Sequence, residues 1–206
     1  MATSILVTVS GMVGAGKSSG EAHILRTLEQ AGVPGQTWRF RLLPCFSFPF
    51  GSSPRQDASA TKHAPAVRGK GYKRKPLTFS ATTGYIGRMA AFRIYRWWRQ
   101  PAGWTICNRY FYDNLAHFEL DAPAARKYVA LLQRVMPRPD LAILFVASPA
   151  VIAERRPMYS VEYLEPLGRA YSSVIARFPE LVVVSSDPGA EGHETVGRLI
   201  TSLLRR

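Results

Sequence analysis

A glycine-rich stretch near the N-terminus has the residue types and spacing for binding phosphate. Residues 11–18 read Gly-Met-Val-Gly-Ala-Gly-Lys-Ser, which satisfies the pattern G-x-x-x-x-G-K-[ST] throughout. Glycines allow positive φ angles and carry no side chain, so successive backbone N–H groups can turn toward one anion. A lysine at the end of such a loop neutralises the β- and γ-phosphates, and the hydroxyl that follows is a ligand for Mg²⁺. The stretch therefore predicts a site for a nucleoside triphosphate.

The predicted site covers nine consecutive residues, and we expect it to bind ATP together with Mg²⁺. Lys17 is the expected catalytic residue of the loop, and Ser18 is the expected metal ligand. An apolar run over 5–9 precedes the loop and a helical pattern follows it, as a phosphate-binding loop requires. The expected nucleotide-binding residues are Gly11, Met12, Val13, Gly14, Ala15, Gly16, Lys17, Ser18 and Ser19.

The rest of the chain alternates β-rich runs with helical stretches, a pattern typical of an α/β fold with a parallel sheet. Strands are predicted over 5–9, 37–42, 104–107, 141–146 and 181–184. Helices are predicted from the loop to about residue 32, and over 77–98, 122–135, 150–155, 161–177 and 194–204. At 206 residues and 47% hydrophobic content, the chain fits a single domain over 1–206. We expect a three-layer α/β/α sandwich of the P-loop NTPase type, with a five-stranded parallel sheet and a short lid that bears arginines.

The chain is strongly basic, with 27 Lys and Arg residues against 14 acids and a net charge of +13. Such an excess favours nucleotides, nucleic acid or an anionic membrane surface, and does not choose among them. Residues 51–76 are rich in Ser, Pro, Ala and Gly, and they end in the cationic run 68–75. This composition predicts a mobile basic loop inside the domain. A nucleic-acid patch on that loop is the less favoured alternative.

Cysteine usage and hydropathy bear on location. Cys45 and Cys107 are far apart in the sequence, which predicts reduced thiols in a cytoplasmic protein. No apolar stretch reaches the roughly 20 residues needed to cross a bilayer, so we expect no membrane span.

Several signatures of other phosphate-loop proteins are missing. GTPases recognise guanine through N-K-x-D and sense the γ-phosphate through D-x-x-G, and neither pattern occurs here. No predicted strand ends in the acid pair that motor and helicase ATPases usually carry. These absences favour a small nucleotide or nucleoside kinase.

Segments downstream of the loop follow an order found in one kinase family. The run Trp104-Thr-Ile-Cys-Asn-Arg-Tyr110 is a strand that ends in a polar residue, Arg and Tyr, and the run 139–149 is followed by Glu-Arg-Arg at 154–156. Arg169-Ala-Tyr171 comes next, and Arg88 lies 21 residues before Arg109. Together with the loop, these segments resemble the thymidylate kinase branch of the nucleoside monophosphate kinases. The resemblance implies transfer of the γ-phosphoryl group of ATP to a nucleoside monophosphate.

Arginines are the expected partners of the reacting phosphates, because phosphoryl transfer needs charge neutralisation more than acid–base chemistry. The resemblance implies that Arg155 and Arg156 are catalytic lid residues, and that 185–189 borders the adenine. Arg109 follows a strand at the edge where parallel sheets bind ligands, so it is expected to act in catalysis and in acceptor binding. The expected acceptor-binding residues are Arg39 and Arg41, which alternate with Phe40 on strand two, Arg88, Arg109, and Tyr110, which has an aromatic ring for base stacking.

Departures from the family pattern leave alternatives open. Asn108 replaces an aspartate that, in the family, helps to organise Mg²⁺ and the reacting phosphates. Asp113 either compensates for it or caps the following turn. The acceptor is therefore either a nucleotide or the hydroxyl group of another small molecule, such as a nucleoside or a sugar-linked metabolite. A non-catalytic module that binds nucleotides or nucleic acid is the third alternative, and a homodimer is compatible with each.

Overall fold

A parallel sheet forms the centre of the fold. The computed structural model describes residues 4–39, 72–99 and 103–205. The strands are β1 (Ser4–Gly11), β2 (Gly35–Arg39), β3 (Lys75–Pro76), β4 (Gly103–Asn108), β5 (Phe118–Glu119), β6 (Leu141–Val146) and β7 (Leu181–Ser185). Five of them pair in the order β2-β4-β1-β6-β7, whereas β3 and β5 form a separate two-stranded ribbon. Every pairing in the large sheet is parallel.

Helices flank the sheet on both sides. They are α1 (Lys17–Gln30), α2 (Phe79–Arg99), α3 (Phe111–Leu115), α4 (Pro123–Val135), α5 (Pro149–Arg155), α6 (Val161–Ile175) and α7 (Gly192–Leu204). Helix α1 packs on α7, and α2 packs on α4. Right-handed crossovers put these two pairs on opposite faces, because α1 leads toward one end of the sheet and α2 and α4 lead toward the other. The predicted α/β fold is confirmed.

The central strands are apolar on both faces because helices cover both. Leu6, Val7 and Val9 of β1 are fully buried, as are Ile143 and Leu144 of β6. Parallel strands covered on both faces are expected to be such continuous apolar runs.

The register of the strands brings their carboxyl ends together. Val9 pairs with Asn108 at the end of β4, and Arg39 at the end of β2 pairs with the same residue. On the other side, Gly11 pairs with Phe145 of β6. Loops that follow β1 and β4 therefore meet at one edge of the sheet.

Some local predictions need correction. The second strand begins at Gly35, two residues before its predicted start, its described part ends at Arg39, and residues 40–42 of the prediction lie outside the described ranges. Helix α3 and the β3–β5 ribbon are absent from the sequence prediction, since elements of two to five residues are too short for a periodic pattern.

The end of the expected basic loop is built into the fold. The described part of that loop begins at Tyr72, whose hydroxyl donates a hydrogen bond of 2.7 Å to the carbonyl oxygen of Ala116. Lys75 then pairs with Phe118 in the ribbon. Residues 72–76 of the predicted loop thus contact the rest of the domain, and residues 51–71 of it lie outside the described ranges.

Among the described helices, none is both long enough and apolar enough to cross a membrane.

Candidate nucleotide-binding site

The glycine-rich loop connects β1 to α1 at the carboxyl edge of the sheet. Gly11 has φ 140°, and a β-carbon there would lie 2.1 Å from the carbonyl oxygen of Phe145 on the neighbouring strand. Gly16 has φ 82° and precedes the first residue of α1. Because Gly16 has no side chain to cap the helix, the first amides of α1 are left for a bound anion.

Lys17 bends back over this loop. Its Nζ donates hydrogen bonds of 2.5 Å to the carbonyl oxygen of Gly11 and 2.7 Å to that of Met12. Burial lowers the pKa of Lys17 to about 8, an effect that the nearby Asp113 carboxylate opposes and the Arg109 charge reinforces. The ammonium group thus lies inside the curve of the loop, where a phosphate group would need a positive charge.

Asp113 holds the start of the loop. Its Oδ1 accepts hydrogen bonds of 2.9 Å from the amide of Gly11 and 2.8 Å from the hydroxyl of Tyr171 on α6. The Tyr171 hydroxyl also lies 2.9 Å from the Gly11 carbonyl oxygen. The amide and the carbonyl of Gly11 therefore both contact the Asp113–Tyr171 pair. Burial, followed by the Asp113 charge, raises the pKa of Tyr171 well above its ordinary value, so the hydroxyl stays protonated and remains a donor.

The turn-cap interpretation of Asp113 is therefore incomplete. Its carboxylate reaches across the sheet edge to Gly11, and it is only 6% exposed. A buried carboxylate oxygen, Oδ2, has no hydrogen-bond partner within the described residues. Sequence reasoning named neither Tyr171 nor its contact with Asp113 as part of the site, because the two residues are separated by 58 positions.

Asn108 forms a second buried pair beside the loop. Its side-chain amide donates to Oε2 of Glu21, which lies on α1 one turn after Lys17. Both residues are less than a tenth exposed. The carboxylate near the end of β4 is therefore supplied by α1, and Asn108 is the donor that pairs with it. Sequence analysis missed Glu21, although its position four residues after Lys17 on a helix was a usable signal.

Arg109 has a strained backbone. Its φ is 66°, and it is the one non-glycine residue with positive φ in the described ranges. Holding a residue with a β-carbon in this region costs about 1 kcal/mol. The amide of Arg109 bonds to the carbonyl oxygen of Val9 at 3.0 Å, and the side chain is exposed at the carboxyl edge of β4. Such outliers cluster at functional sites.

The two expected lid arginines flank the loop. Arg155 donates to the Ser186 hydroxyl at 3.1 Å and to the Ser186 carbonyl oxygen at 2.6 Å. A β-carbon on Gly16 would lie 3.3 Å from Ser186, and one on Gly14 would lie 3.4 Å from Arg156. The end of α5, the loop and the segment after β7 therefore converge.

The segment after β7 is held to the start of α5. Oδ1 of Asp187 accepts a hydrogen bond of 2.8 Å from the amide of Ser148, the residue that caps α5. Backbone hydrogen bonding from Ser148 is the main reason why the pKa of Asp187 is lowered. The position expected to border adenine, 185–189, is thus anchored beside the loop.

The acceptor-side residues do not all reach the site. Tyr110 is fully buried, and its hydroxyl donates 2.5 Å to the carbonyl oxygen of Pro137. Its ring packs in the core, so base stacking by Tyr110 does not fit the structure. Arg88 is half-buried on α2 with its guanidinium 5.5 Å from the centre of the Tyr85 ring. Arg39 ends β2 at the carboxyl edge, and Arg41 lies outside the described ranges.

The residues present fit Mg²⁺ only as part of a complex with phosphates. No group of three or more His, Cys, Asp or Glu side chains able to hold a metal occurs within 4–39, 72–99 and 103–205. Mg²⁺ bound to a nucleotide needs one or two protein oxygens, the remaining positions being filled by phosphates and water. Ser18, exposed in the first turn of α1, and the unpartnered Oδ2 of Asp113 have suitable chemistry.

Comparisons with known proteins identify the fold. No family model matches the chain, and no curated protein matches it by sequence. Among solved structures, it is similar to thymidylate kinase from Ehrlichia chaffeensis, with a TM-score of 0.53 over 98% of each chain. The two sequences are 13% identical, so this similarity shows a kinase-like fold and leaves the reaction open.

Proposed function

We propose that this chain is a P-loop nucleotide kinase that binds MgATP at Gly11–Ser19. The observation that carries the proposal is the position of the Lys17 ammonium inside the glycine-rich loop, beside the uncapped start of α1. Backbone amides and a helix N-terminus favour a bound phosphate, and the lysine adds the charge that the γ-phosphoryl group needs during transfer. The similarity in fold to thymidylate kinase supports the same assignment.

The acceptor in this proposal is a nucleoside monophosphate. Arg109 is the principal acceptor-binding residue in this proposal, since its exposed side chain follows β4 at the carboxyl edge of the sheet and its amide bonds to Val9, two residues before the loop. Arg39, Arg41 and Arg88 remain proposed contacts of lesser weight. With Tyr110 buried, these arginines bind the phosphate of the acceptor, and no described aromatic is assigned to its base.

The proposed catalytic residues are Lys17, Arg109, Arg155 and Arg156. When closed over the phosphates, Arg155 and Arg156 would neutralise developing charge and exclude water. Mg²⁺, held by Ser18 and the phosphates, would supply further charge neutralisation. Asp113 would position Gly11 through Oδ1, and its unpartnered Oδ2 would offer the carboxylate oxygen that the amide of Asn108 lacks.

An acceptor panel with labelled ATP tests the proposal. Nucleoside monophosphates, nucleosides and phosphorylated or free sugars are offered separately, and the formation of ADP and of phosphorylated product is measured. Product formed only with nucleoside monophosphates supports the proposal. Binding of ATP without acceptor-dependent ADP release would instead favour a nucleotide-binding module.

A kinase for a hydroxyl acceptor is the second candidate function. Burial of Tyr110 favours it, because the acceptor side then differs from the expected base-stacking arrangement. In the same panel this candidate requires turnover of a nucleoside or sugar to exceed that of every monophosphate. Thymidylate turnover well above all others would exclude it.

A cytoplasmic location and a homodimer belong to the same proposal. Cys45 and Cys107 are far apart in the sequence, a usage typical of reduced thiols, which supports a cytoplasmic location. Cell fractionation and light scattering on the purified chain test these two points separately.

A further inference from the structure

The charged residues of helices α2 and α4 all have one sign. The two helices pack on each other, and right-handed crossovers place them on the face of the sheet opposite α1 and α7. Helix α2 contains four arginines and α4 contains two arginines and a lysine, and neither helix contains an aspartate or a glutamate. Of the five cations whose side chains the structure describes, four are exposed: Arg93, Arg126, Lys127 and Arg134. A surface of this kind attracts an extended anion.

The same two helices also carry large apolar side chains that are exposed. Trp97 and Trp98, in the last turn of α2, are 73% and 72% exposed, and Ile94 is 63% exposed. Leu131 on α4 is 41% exposed. Arg93 reaches the carbonyl oxygen of Val135 at 3.5 Å, which joins the carboxyl-terminal halves of the two helices. Several exposed apolar side chains of this size on two neighbouring helices indicate an interaction site.

The combination of charge and side-chain type indicates the partner. A second copy of the chain would bring cations against cations, with no acid on either helix to pair with them. Single-stranded nucleic acid is bound in basic grooves with separate stacking platforms, whereas Trp97 and Trp98 are adjacent on a convex helix. Tryptophan and arginine are the residues that amphipathic helices place at the headgroup level of membranes. We propose that the α2–α4 face docks on an anionic lipid bilayer.

The docking face lies away from the candidate nucleotide site. Helix α2 ends at Arg99 and β4 begins at Gly103, so Trp97 and Trp98 lie near the amino edge of the sheet. The glycine-rich loop lies at the carboxyl edge, beyond the end of β4 at Asn108. A six-residue strand separates the two edges by about 17 Å. Docking would therefore leave the loop open to solvent.

Vesicle binding by the full chain tests this proposal. Vesicles of phosphatidylcholine alone and of phosphatidylcholine with phosphatidylserine are mixed with the protein and sedimented. Co-sedimentation with the anionic vesicles only, weakened by added salt, is expected. Tryptophan emission should shift to shorter wavelength on binding, because Trp97 and Trp98 leave water whereas Trp104 is already buried.

Two variants and a matched control separate the face from the overall charge. Trp97→Ala with Trp98→Ala should remove the emission shift and weaken binding about tenfold or more. Arg93→Glu with Arg134→Glu should weaken it to a similar degree. Arg26→Glu with Arg205→Glu makes the same charge change on α1 and at the end of α7, and should leave most of the binding intact. Circular dichroism and ATP binding verify that each variant is folded.

Three outcomes would overturn the proposal. Equal losses in the control and the α2–α4 variants would mean that net charge alone drives binding. Binding of single-stranded DNA with no binding to anionic vesicles would assign the face to nucleic acid. A dimer that the tryptophan variant converts to a monomer would assign it to a second copy of the chain.

Discussion

The donor and acceptor sides of the candidate site are built in different ways. On the donor side, one continuous segment, 11–19, provides the loop, the lysine and the start of the helix. On the acceptor side, the expected residues come from β2, α2 and β4, and they face in different directions: Arg109 is exposed and Tyr110 is fully buried. A site made by one segment is recognisable from a motif. A site assembled from several elements depends on orientations that no local pattern specifies.

The largest expected effect is on the donor side. Lys17→Ala should lower the rate of phosphoryl transfer about 1,000-fold, because a half-buried positive charge next to the transferred group is lost. The control is Lys127→Ala on α4, whose side chain is exposed and far from the loop in sequence. Steady-state kinetics with labelled ATP measure both. An active Lys17→Ala protein would reject the proposed mechanism.

Gly11→Ala tests the backbone of the same loop. A β-carbon 2.1 Å from the Phe145 carbonyl oxygen forces strand β6 or the loop to move, so the free energy of unfolding should fall by about 3 kcal/mol or more. Urea denaturation measures the change. Gly84→Ala is the matched control, because open space surrounds that position on α2. The free energy of unfolding of this variant should rise by about 0.5 kcal/mol. Equal stabilities for the two variants would contradict the described loop geometry.

The Asn108–Glu21 pair allows a swap. Asn108→Asp alone puts two buried carboxylates against each other and should cost about 2 kcal/mol of stability at neutral pH. Combining it with Glu21→Gln restores one donor and one acceptor, and should recover most of that loss. Thermal denaturation of the four proteins in the cycle measures the coupling between the two positions. Strict additivity would mean that the two side chains do not pair.

Arg109→Gly sharpens the acceptor side of the comparison. Glycine relieves the positive φ of 66°, so the variant should be more stable by about 1 kcal/mol. The same change removes the proposed acceptor contact, and the KM for the acceptor should rise about tenfold. Opposite changes in stability and affinity would mark a residue kept for function. A stabilised variant with an unchanged acceptor KM would remove Arg109 from the site.

The smallest effect is expected for Tyr110→Phe. Loss of the hydrogen bond to Pro137 should lower the free energy of unfolding by about 1 kcal/mol. The KM for the acceptor should not change, because the ring is buried. Measuring both in one variant distinguishes a core residue from a binding residue. If the change in KM, expressed as a free energy, exceeds the change in the free energy of unfolding, Tyr110 would return to the acceptor side.

Much of the fold was predictable because its strands and helices are long enough to show their periods. The buried run 141–146 and the helix 123–135 match their predicted positions to within a residue or so. Helix α3 was not predictable in this way, since its five residues are all buried and show no amphipathic pattern. The sequence analysis mentions Asp113 and Tyr171 separately and does not predict that they contact each other. That contact depends on how α3 and α6 meet the end of β1.

The sequence by itself determined the phosphate loop and the α/β order of elements, because backbone conformation and hydrophobic periodicity are local properties. Tertiary structure decided which side chains surround that loop. Glu21 turns inward to Asn108, Tyr110 turns inward to Pro137, and Arg109 is held outward by a strained φ. Each outcome depends on packing between elements that are distant in sequence. The composition showed the excess of positive charge, and only the fold placed seven of those cations on two neighbouring helices beside exposed tryptophans.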